Sequence, residues 1–396
     1  MRTPGALAFC ASALLARAGG AMMGIGIVLM VSSLYDSYGW AGALTAANGV
    51  GWAVGNAVLS NLVDRFGQRR IMLPSCMIAN GAVLVLALFG WLHVPIWLLF
   101  IPATLGGAFG GSPSALVRAR WTHVLPDAHQ VHTAFSLESV LDEVTYIVGP
   151  VIATALATMV HPTAGLLAPG VCGAVGGFLF YHVTRSSEPP VVPGARASAG
   201  GHQRFILGLG GVAPVVAAVL CVGMAFGSID VSTVAAVTAW GERPLSGAVL
   251  AAMSVGSAIA GLSYGLRIWT TPLWKRFLIT ICCYAAGVWL LLVAHSPLVL
   301  AVCGFISGFT VAPTLINSNS LMGALVPPNR LTEGLSWVGT ALGIGASIGS
   351  AVAGRFIDSF GYRSGYHTVI VVAMLGMVIT LASASILRRN SSTSPA

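Results

Sequence analysis

Apolar runs of about 20 residues follow one another along the whole chain, and most charged residues lie in the short connections between them. A helix of about 20 apolar residues crosses the hydrocarbon core of a bilayer, whereas a membrane β-strand is about ten residues of alternating hydrophobicity. The runs are longer and continuous, so they predict helices. We expect twelve membrane spans, at residues 8–33, 39–62, 71–92, 95–117, 136–160, 163–184, 208–235, 244–266, 277–295, 298–322, 333–357 and 367–387.

Composition excludes other classes of protein. Of the 396 residues 56% are apolar and 8% are charged, whereas soluble domains contain about 25% charged residues. A soluble enzyme, a disordered chain and a small disulfide scaffold are therefore excluded. The seven cysteines lie in apolar runs without the spacing of a metal site, so we expect no metal and no other cofactor. The predicted fold class is an all-α polytopic membrane protein.

Arginine and lysine are distributed unequally between alternate connections, and membrane proteins keep the excess in the cytoplasm. One side has three, Arg243, Arg355 and Arg363, while Arg17 lies within the first span. The distribution predicts a multi-pass protein of the cell membrane with both termini in the cytoplasm, and it accounts for the net charge of +8 without a nucleic-acid partner. The cytoplasmic side has fifteen, namely Arg2, Arg65, Arg69, Arg70, Arg118, Arg120, Arg185, Arg196, Arg204, Arg267, Lys275, Arg276, Arg330, Arg388 and Arg389.

The longest connection, residues 185–204, is rich in Pro, Gly and Ser and lies at the middle of the chain. Such a composition is typical of a flexible linker. Many secondary transporters consist of two six-helix halves with the substrate site near the bilayer midplane between them. We therefore predict two pseudo-symmetric six-helix bundles, at 1–184 and 208–396, joined by a cytoplasmic linker at 185–207.

A short sequence occurs twice. The connection after the second span contains Asp64-Arg65-Phe66-Gly67, and the end of the eleventh span reads Asp358-Ser359-Phe360-Gly361. The predicted topology places the two copies on opposite faces of the membrane. A three-helix unit that is repeated in inverted orientation within each half would produce this arrangement.

The segment Asp64-Arg65-Phe66-Gly67-Gln68-Arg69-Arg70 resembles the cytoplasmic signature between helices 2 and 3 of the major facilitator superfamily, with Ser60 in place of the family's first glycine. Gly149-Pro150 in the fifth span is similar to the core of the antiporter motif of drug-exporting branches, although its flanking glycines are replaced. The helix-4 arginine of those branches has no counterpart in residues 101–107. The resemblance implies a transporter like the drug/proton antiporters, working as a monomer.

The resemblance also implies a gate, because it places the 2–3 turn near the start of the eleventh span. Asp64 would meet the positive end of that helix, and Arg69 or Arg70 would meet Glu333. Exposed ion pairs contribute about 0–1 kcal/mol each, which suits a gate that opens in every cycle. The alternative is a positively charged turn that only anchors the second span. The remaining gate candidates are Arg65 and Gly67 in the same turn and the expected kink at Gly149 and Pro150.

Ionisable residues inside membrane spans are costly and are candidates for function. Arg17 lies about 14 Å into the first span, and Glu138, Asp142 and Glu143 of the fifth span offer it a counter-charge. Glu138 and Asp142 are four residues apart and share a helix face. One interpretation is a structural ion pair that joins the two spans. Another is a substrate or proton site in which one carboxylate titrates near neutral pH, and a third places the acids in the headgroup region.

Two further spans carry candidates. Asp230 in the seventh span is either a cation or proton acceptor in the external vestibule or a side chain that reaches out to the membrane surface. In the tenth span Asn317 and Asn319 follow Pro313, and they donate hydrogen bonds either to a substrate or to a neighbouring helix.

The sequence contains no nucleotide-binding loop of the form G-x-x-x-x-G-K-[ST], so we expect no ATP hydrolysis and no enzyme activity. The predicted function is a secondary active transporter that works by alternating access and exports a small organic solute in exchange for protons. A facilitative or importing transporter of the same fold is one alternative. A non-transporting membrane receptor or lipid-handling enzyme is the other.

Overall fold

The structure is a computed structural model of the 396-residue chain. It describes residues 5–125, 128–184, 187–189, 206–208, 210–267, 269–327 and 331–391. Inside the described helices, the side chains of Asp64, Glu143 and Glu333 lie outside the described part. Within these ranges the regular secondary structure is helical, and no strand occurs in them.

Helix ends coincide with the residues that local chemistry favours there. α5 begins at Pro113 and α11 at Pro297, the first-turn position where a missing N–H costs little. The hydroxyl of Ser296 caps α11 by accepting the N–H of Val299. The helices are α1 (Ala6–Leu34), α2 (Tyr38–Phe66), α3 (Gln68–Trp91), α4 (Phe100–Ala108), α5 (Pro113–Val124), α6 (Ala128–Met159), α7 (Ala164–Phe178), α8 (Val212–Ala239), α9 (Ser246–Gly265), α10 (Leu273–Gly287), α11 (Pro297–Gly308), α12 (Val311–Leu325), α13 (Leu331–Phe360), α14 (Tyr362–Ala382) and α15 (Ala384–Ser391).

Eleven helical segments of the described chain are long and apolar enough to cross a membrane. Two of them combine neighbouring helices: Ile96–Val124 contains α4 and α5, and Pro297–Leu325 contains α11 and α12. α2 is not among the eleven. It has 29 residues, about 43 Å of helix at 1.5 Å per residue, and includes Asn48, Asn56 and Asn61, which lower its hydropathy. The predicted all-α polytopic membrane fold is confirmed.

The chain divides into two compact units. The first contains Met1–Ser37 and Ala47–Gly200, and the second contains Tyr38–Ala46 and Gly201–Ala396. The first turns of α2 therefore group with the second unit, because residues 38–46 pack against α13. This assignment of α2 is not apparent in the order of the spans.

Each unit has a core of its own. In the first unit α1 packs chiefly against α7 and α6, and the buried rings of Phe9, Trp121 and Phe180 lie in its core. In the second unit α8 packs chiefly against α13 and α14, and Phe277 and Tyr284 are buried there. The remaining apolar faces provide the surface that hydrocarbon covers in a membrane protein.

Candidate functional site

Arg17 lies at the centre of an ion-pair network in the first unit. It is 7% exposed, and its guanidinium pairs with Glu138 and, through Nη1, with Asp142 Oδ1 at 2.9 Å. Nη2 of Arg118 pairs with Asp142 Oδ2 at 2.8 Å. The network joins α1, α5 and α6, and it brings Arg17, Glu138 and Asp142 together as their spacing predicts.

Both carboxylates of this network are fully engaged. Glu138 is 0% exposed, and its Oε1 also accepts hydrogen bonds from Trp121 Nε1 at 2.8 Å and Cys10 Sγ at 3.1 Å. Asp142 Oδ1 also accepts one from Ser114 Oγ at 2.9 Å. Among the described side chains of the network two cations face two anions, and these four charges sum to zero when all are ionised. This geometry suits a structural ion pair, because a buried charge is tolerated when it is paired and hydrogen-bonded.

Arg120 is a buried charge that the sequence pattern does not reveal, because the charge count places it in a cytoplasmic connection. It is 0% exposed. Its Nε donates to Gln68 Oε1 at 3.0 Å, its Nη1 donates to the carbonyl of Thr184 at 3.0 Å, and its guanidinium lies 3.8 Å from the ring centroid of Phe180. Arg118 is two residues away, about 200° around the helix, and so reaches Asp142 instead.

The 2–3 turn makes contacts within the first unit. The backbone N–H of Arg69 donates to Glu188 Oε1 at 3.0 Å, and Arg69 Nη2 lies 3.4 Å from His182 Nδ1. Arg70 lies over the ring of Phe66 at 5.9 Å, and Arg65 is exposed. The predicted partners Asp64 and Glu333 have side chains outside the described part, so the predicted gate stays a prediction. A cavity of about 710 Å³ beside the turn is lined by Phe66, Gly67, Arg69, Arg70, Leu73, Pro74, Glu188 and Pro189.

Gly149 and Pro150 lie inside α6, which continues without interruption to Met159. A Cβ atom at Gly149 would lie 3.1 Å from the Cβ of Ala21 in α1. Gly149 therefore permits close packing of α6 against α1, on the helix that also carries Glu138 and Asp142. Its predicted role in a gate stays a prediction.

Asp230 is the one exposed residue between Pro214 and Thr238 of α8. Within the described part of the chain it has no hydrogen bond and no ion pair. It precedes the last residue of α8, Ala239, by nine positions, about 14 Å along the helix axis. A carboxylate at this depth is tolerated when it meets water or protein rather than hydrocarbon.

Asn317 and Asn319 have different surroundings. Asn317 is 0% exposed, and its Nδ2 donates to the hydroxyl of Tyr264 at 2.8 Å and to the carbonyl of Pro313 at 2.8 Å. This bond joins α12 to α9, which is the second of the two roles expected for the asparagines. Asn319 is exposed and donates to the carbonyl of Leu315 in its own helix at 2.9 Å.

The sequence model of the Major Facilitator Superfamily matches residues 9–281 and 273–395. The chain belongs to the major facilitator superfamily. Three solved structures share its fold at low identity. The nucleoside transporter NupG is 12% identical, with a TM-score of 0.74 over 97% of this chain and 99% of that one. A POT family peptide transporter is 13% identical, with a TM-score of 0.74 over 99% of this chain and 96% of that one.

The third is a bacterial homologue of the iron transporter ferroportin, 13% identical, with a TM-score of 0.72 over 96% of this chain and 98% of that one. A search of curated proteins found no match. At these identities the structures establish the fold alone. The layout of twelve helices in two bundles fits the family, and the family indicates a transporter in a membrane rather than an enzyme.

One sequence pattern of hydrolases does occur in the chain. Residues Gly345–Gly349 spell G-x-S-x-G, the pattern that in hydrolases forms a sharp turn between a strand and a helix. Here the segment lies in the interior of α13, and Ser347 Oγ donates to the carbonyl of Gly343 at 3.0 Å. Without the turn, the pattern does not indicate a nucleophile.

Proposed function

We propose that this protein is a secondary active transporter that works by alternating access and exports a small organic solute in exchange for protons. The observation that carries the proposal is Asp230, an exposed carboxylate with no partner in the described residues, inside a membrane-spanning helix. An ionised carboxylate against hydrocarbon is costly, so the proposal places Asp230 on a water-filled path. A solute on that path would reach the negative charge of Asp230.

Competition for this charge provides a coupling mechanism. The carboxylate holds either a proton or a cationic group of the solute, and neutralisation by one removes the attraction for the other. Protonation on one side of the membrane therefore releases the solute there, and deprotonation on the other side restores binding. This cycle exchanges protons for solute without ATP.

The acids of the first unit are less suited to this role. Protonating Glu138 or Asp142 would leave Arg17 or Arg118 with a weakened ion pair in a buried position, and the uncompensated charge would be costly. Asp230 changes its charge without breaking a contact within the described part. We therefore assign coupling to Asp230 and helix joining to the Arg17 network.

The missing helix-4 arginine favours the facilitative alternative. That alternative differs from the proposal in one measurable property, the dependence of solute flux on a pH gradient. Purified protein in liposomes is given an inward or outward pH gradient, and uptake of uridine, dialanine and the organic cation ethidium is measured. Nucleosides and peptides are the solutes named for two of the similar structures; ethidium tests the preference for a cation. We expect ethidium flux that follows the proton gradient.

The matched variants are Asp230→Asn and Glu242→Gln. Glu242 is also exposed in the second unit, and its side chain does not cap the helical turn that follows it. We expect Asp230→Asn to abolish gradient-driven flux and Glu242→Gln to retain it. Flux that ignores the gradient in the unmodified protein would support the facilitative transporter, and equal flux in the two variants would exclude Asp230 from coupling.

A further inference from the structure

The connection between α9 and α10 carries a group of cations and indole rings. Both helices belong to segments that are long and apolar enough to cross a membrane, and α9 ends at Gly265 while α10 begins at Leu273. The connection therefore lies at a membrane surface, which the predicted topology makes the cytoplasmic one. We call the group the basic–aromatic cluster, and its members are Arg267, Trp269, Trp274, Lys275 and Arg276.

Trp269 is held in place by the second unit. Its Nε1 donates to the carbonyl of Tyr264 at 3.0 Å, and the two rings stack with centroids 4.4 Å apart and planes at 25°. The hydroxyl of Tyr264 accepts a hydrogen bond from Asn317 of α12 at 2.8 Å. The guanidinium of Arg267 lies over the ring of Trp269, 4.8 Å from its centroid. A platform attached to α9 and α12 therefore positions a positive charge.

The cations of the cluster have unused donors. Within the described part of the chain, no hydrogen bond or ion pair involves the side chains of Arg267, Lys275 or Arg276. The ring of Trp269 covers one face of the Arg267 guanidinium and leaves the N–H groups at its edge free, and such an edge binds two phosphate oxygens at once. Nε of Arg276 is buried without an acceptor among the described residues, which is costly for a donor. The cluster therefore offers donors to an anion.

The local sequence supplies no acid to balance these charges. Between Glu242 and Glu333 the chain contains no Asp or Glu. Lys275 and Arg276 lie at the start of α10, and its first turn has no acidic residue. A helix start is the positive end of the helix dipole and is unfavourable for cations. The fold gains nothing from two cations at this position, whereas an external anion is attracted by both the cations and the dipole.

Apolar side chains beside the cluster favour a lipid over a soluble anion. Leu262 and Leu266 are 64% and 87% exposed, and they lie one turn apart on the same face of α9. Ile279 of α10 is 54% exposed. Exposed apolar side chains of membrane-spanning helices face hydrocarbon. A phospholipid places its acyl chains on such a surface and its phosphate at the cations, whereas a free anion makes no use of the apolar face.

We propose that the basic–aromatic cluster binds the headgroup of an anionic phospholipid. The phosphodiester of the lipid lies at Arg267 and Lys275, and an acyl chain runs along Leu262 and Leu266. Lys275 lies with Nζ 5.5 Å from the ring centroid of Trp274, so both cations are held on an indole ring. A zwitterionic headgroup carries an amine that these cations repel, and the site therefore prefers a lipid with net negative charge.

The lipid site is tested by native mass spectrometry of the purified protein in detergent. The protein is titrated with phosphatidylglycerol or with phosphatidylcholine of the same acyl chains, and the apparent Kd of the first bound lipid is measured. The test variant combines Arg267→Gln with Lys275→Gln. Its control combines Arg355→Gln with Arg363→Gln, which removes the same charge from two exposed residues of the same unit.

A second pair of variants leaves the charge unchanged. Trp269→Leu removes the ring beneath Arg267, and Trp289→Leu removes a ring of the same unit that is 49% exposed. We expect Trp269→Leu to weaken phosphatidylglycerol binding about threefold, the effect of losing an exposed cation–π contact, and Trp289→Leu to leave it unchanged.

The charge variants should differ more. We expect the first double variant to weaken phosphatidylglycerol binding about twentyfold, because each cation near the surface contributes about fivefold, and its control to change the Kd less than twofold. Binding of phosphatidylcholine should be equal in all variants, which shows that they remain folded. Equal weakening in the two double variants would overturn the site, because general charge attraction would then account for binding. Equal affinity of the unmodified protein for the two lipids would overturn it as well.

Inorganic phosphate at the concentration of the lipid provides the last comparison. We expect the lipid to stay bound, and its displacement would overturn the lipid assignment in favour of a soluble anion. None of these measurements requires a transported solute or a proton gradient. The lipid site therefore stands or falls independently of the proposed transport function.

Discussion

Removal of Glu138 is expected to destabilise the first unit strongly. Glu138→Ala leaves Arg17 with Asp142 as its remaining ion pair and takes the acceptor from Trp121 Nε1 and Cys10 Sγ. Glu138 is 0% and Arg17 7% exposed, so water does not replace the lost partner. Breaking a buried ion pair on one side costs about 3–5 kcal/mol.

Arg118→Gln, a matched substitution at the other end of the network, should lower the free energy of unfolding much less. The Arg118–Asp142 pair has side chains that are 28% and 21% exposed, and a partly solvated pair contributes about 0–1 kcal/mol. Thermal unfolding in detergent, followed by tryptophan fluorescence, compares the two. For a domain of about 200 residues, 1 kcal/mol corresponds to about 2–4 °C in Tm. We therefore expect a loss of roughly 6–20 °C for Glu138→Ala and at most about 4 °C for Arg118→Gln.

The double variant Arg17→Met with Glu138→Leu provides the control for charge. It removes both buried charges together, so its Tm should recover most of the loss seen with Glu138→Ala. Equal and small decreases of the Tm in Glu138→Ala and Arg118→Gln would refute the interpretation of the network as a structural ion pair. If Glu138→Gln instead keeps its Tm and loses proton-driven flux, the network is the proton site and Asp230 is not.

The remaining predictions concern backbone conformation and one interhelical bond. Gly67→Ala and Gly361→Ala should each lower stability by about 1–3 kcal/mol, because φ is 90° and 81° at these positions and a Cβ atom is strained there. Gly339→Ala, in the interior of α13 with open space around it, should raise stability by about 0.5–1 kcal/mol, as thermal unfolding will show. Asn317→Ala should lower it by about 0.6–1.7 kcal/mol by removing the α9–α12 bond. Asn319→Ala should leave the Tm within 1 °C, the resolution of the same assay, because Asn319 is exposed and bonds its own helix.

The Arg17 network shows how far intramembrane charges can be read from a sequence. A charge within an apolar run needs an opposite charge, and the few acids in the other spans leave a short list of partners. Arg17 therefore predicts a partner among Glu138, Asp142 and Glu143, and the structure describes its pairs with the first two. The same reasoning does not predict partners for Arg118 and Arg120, because they lie at the end of a span, where a positive charge needs no partner. Whether such an arginine faces water or a buried acceptor depends on which helix lies beside it.

The all-helical class and the approximate bounds of most membrane spans follow from the sequence, because each depends on the local length and composition of a segment. The sidedness of the charges stays a prediction. The turns at Gly67 and Gly361 can also be found in this way, since the same four-residue pattern recurs. The contact between Asp358 and the start of α2 cannot. Its donors are backbone N–H groups of Tyr38 and Gly39, and every helix start offers such groups. Only the packing of residues 38–46 against α13 selects the start of α2 as the partner of Asp358. The physical reason is that a hydrogen bond from a backbone N–H does not depend on the side chain of the donor residue, so the sequence does not reveal it.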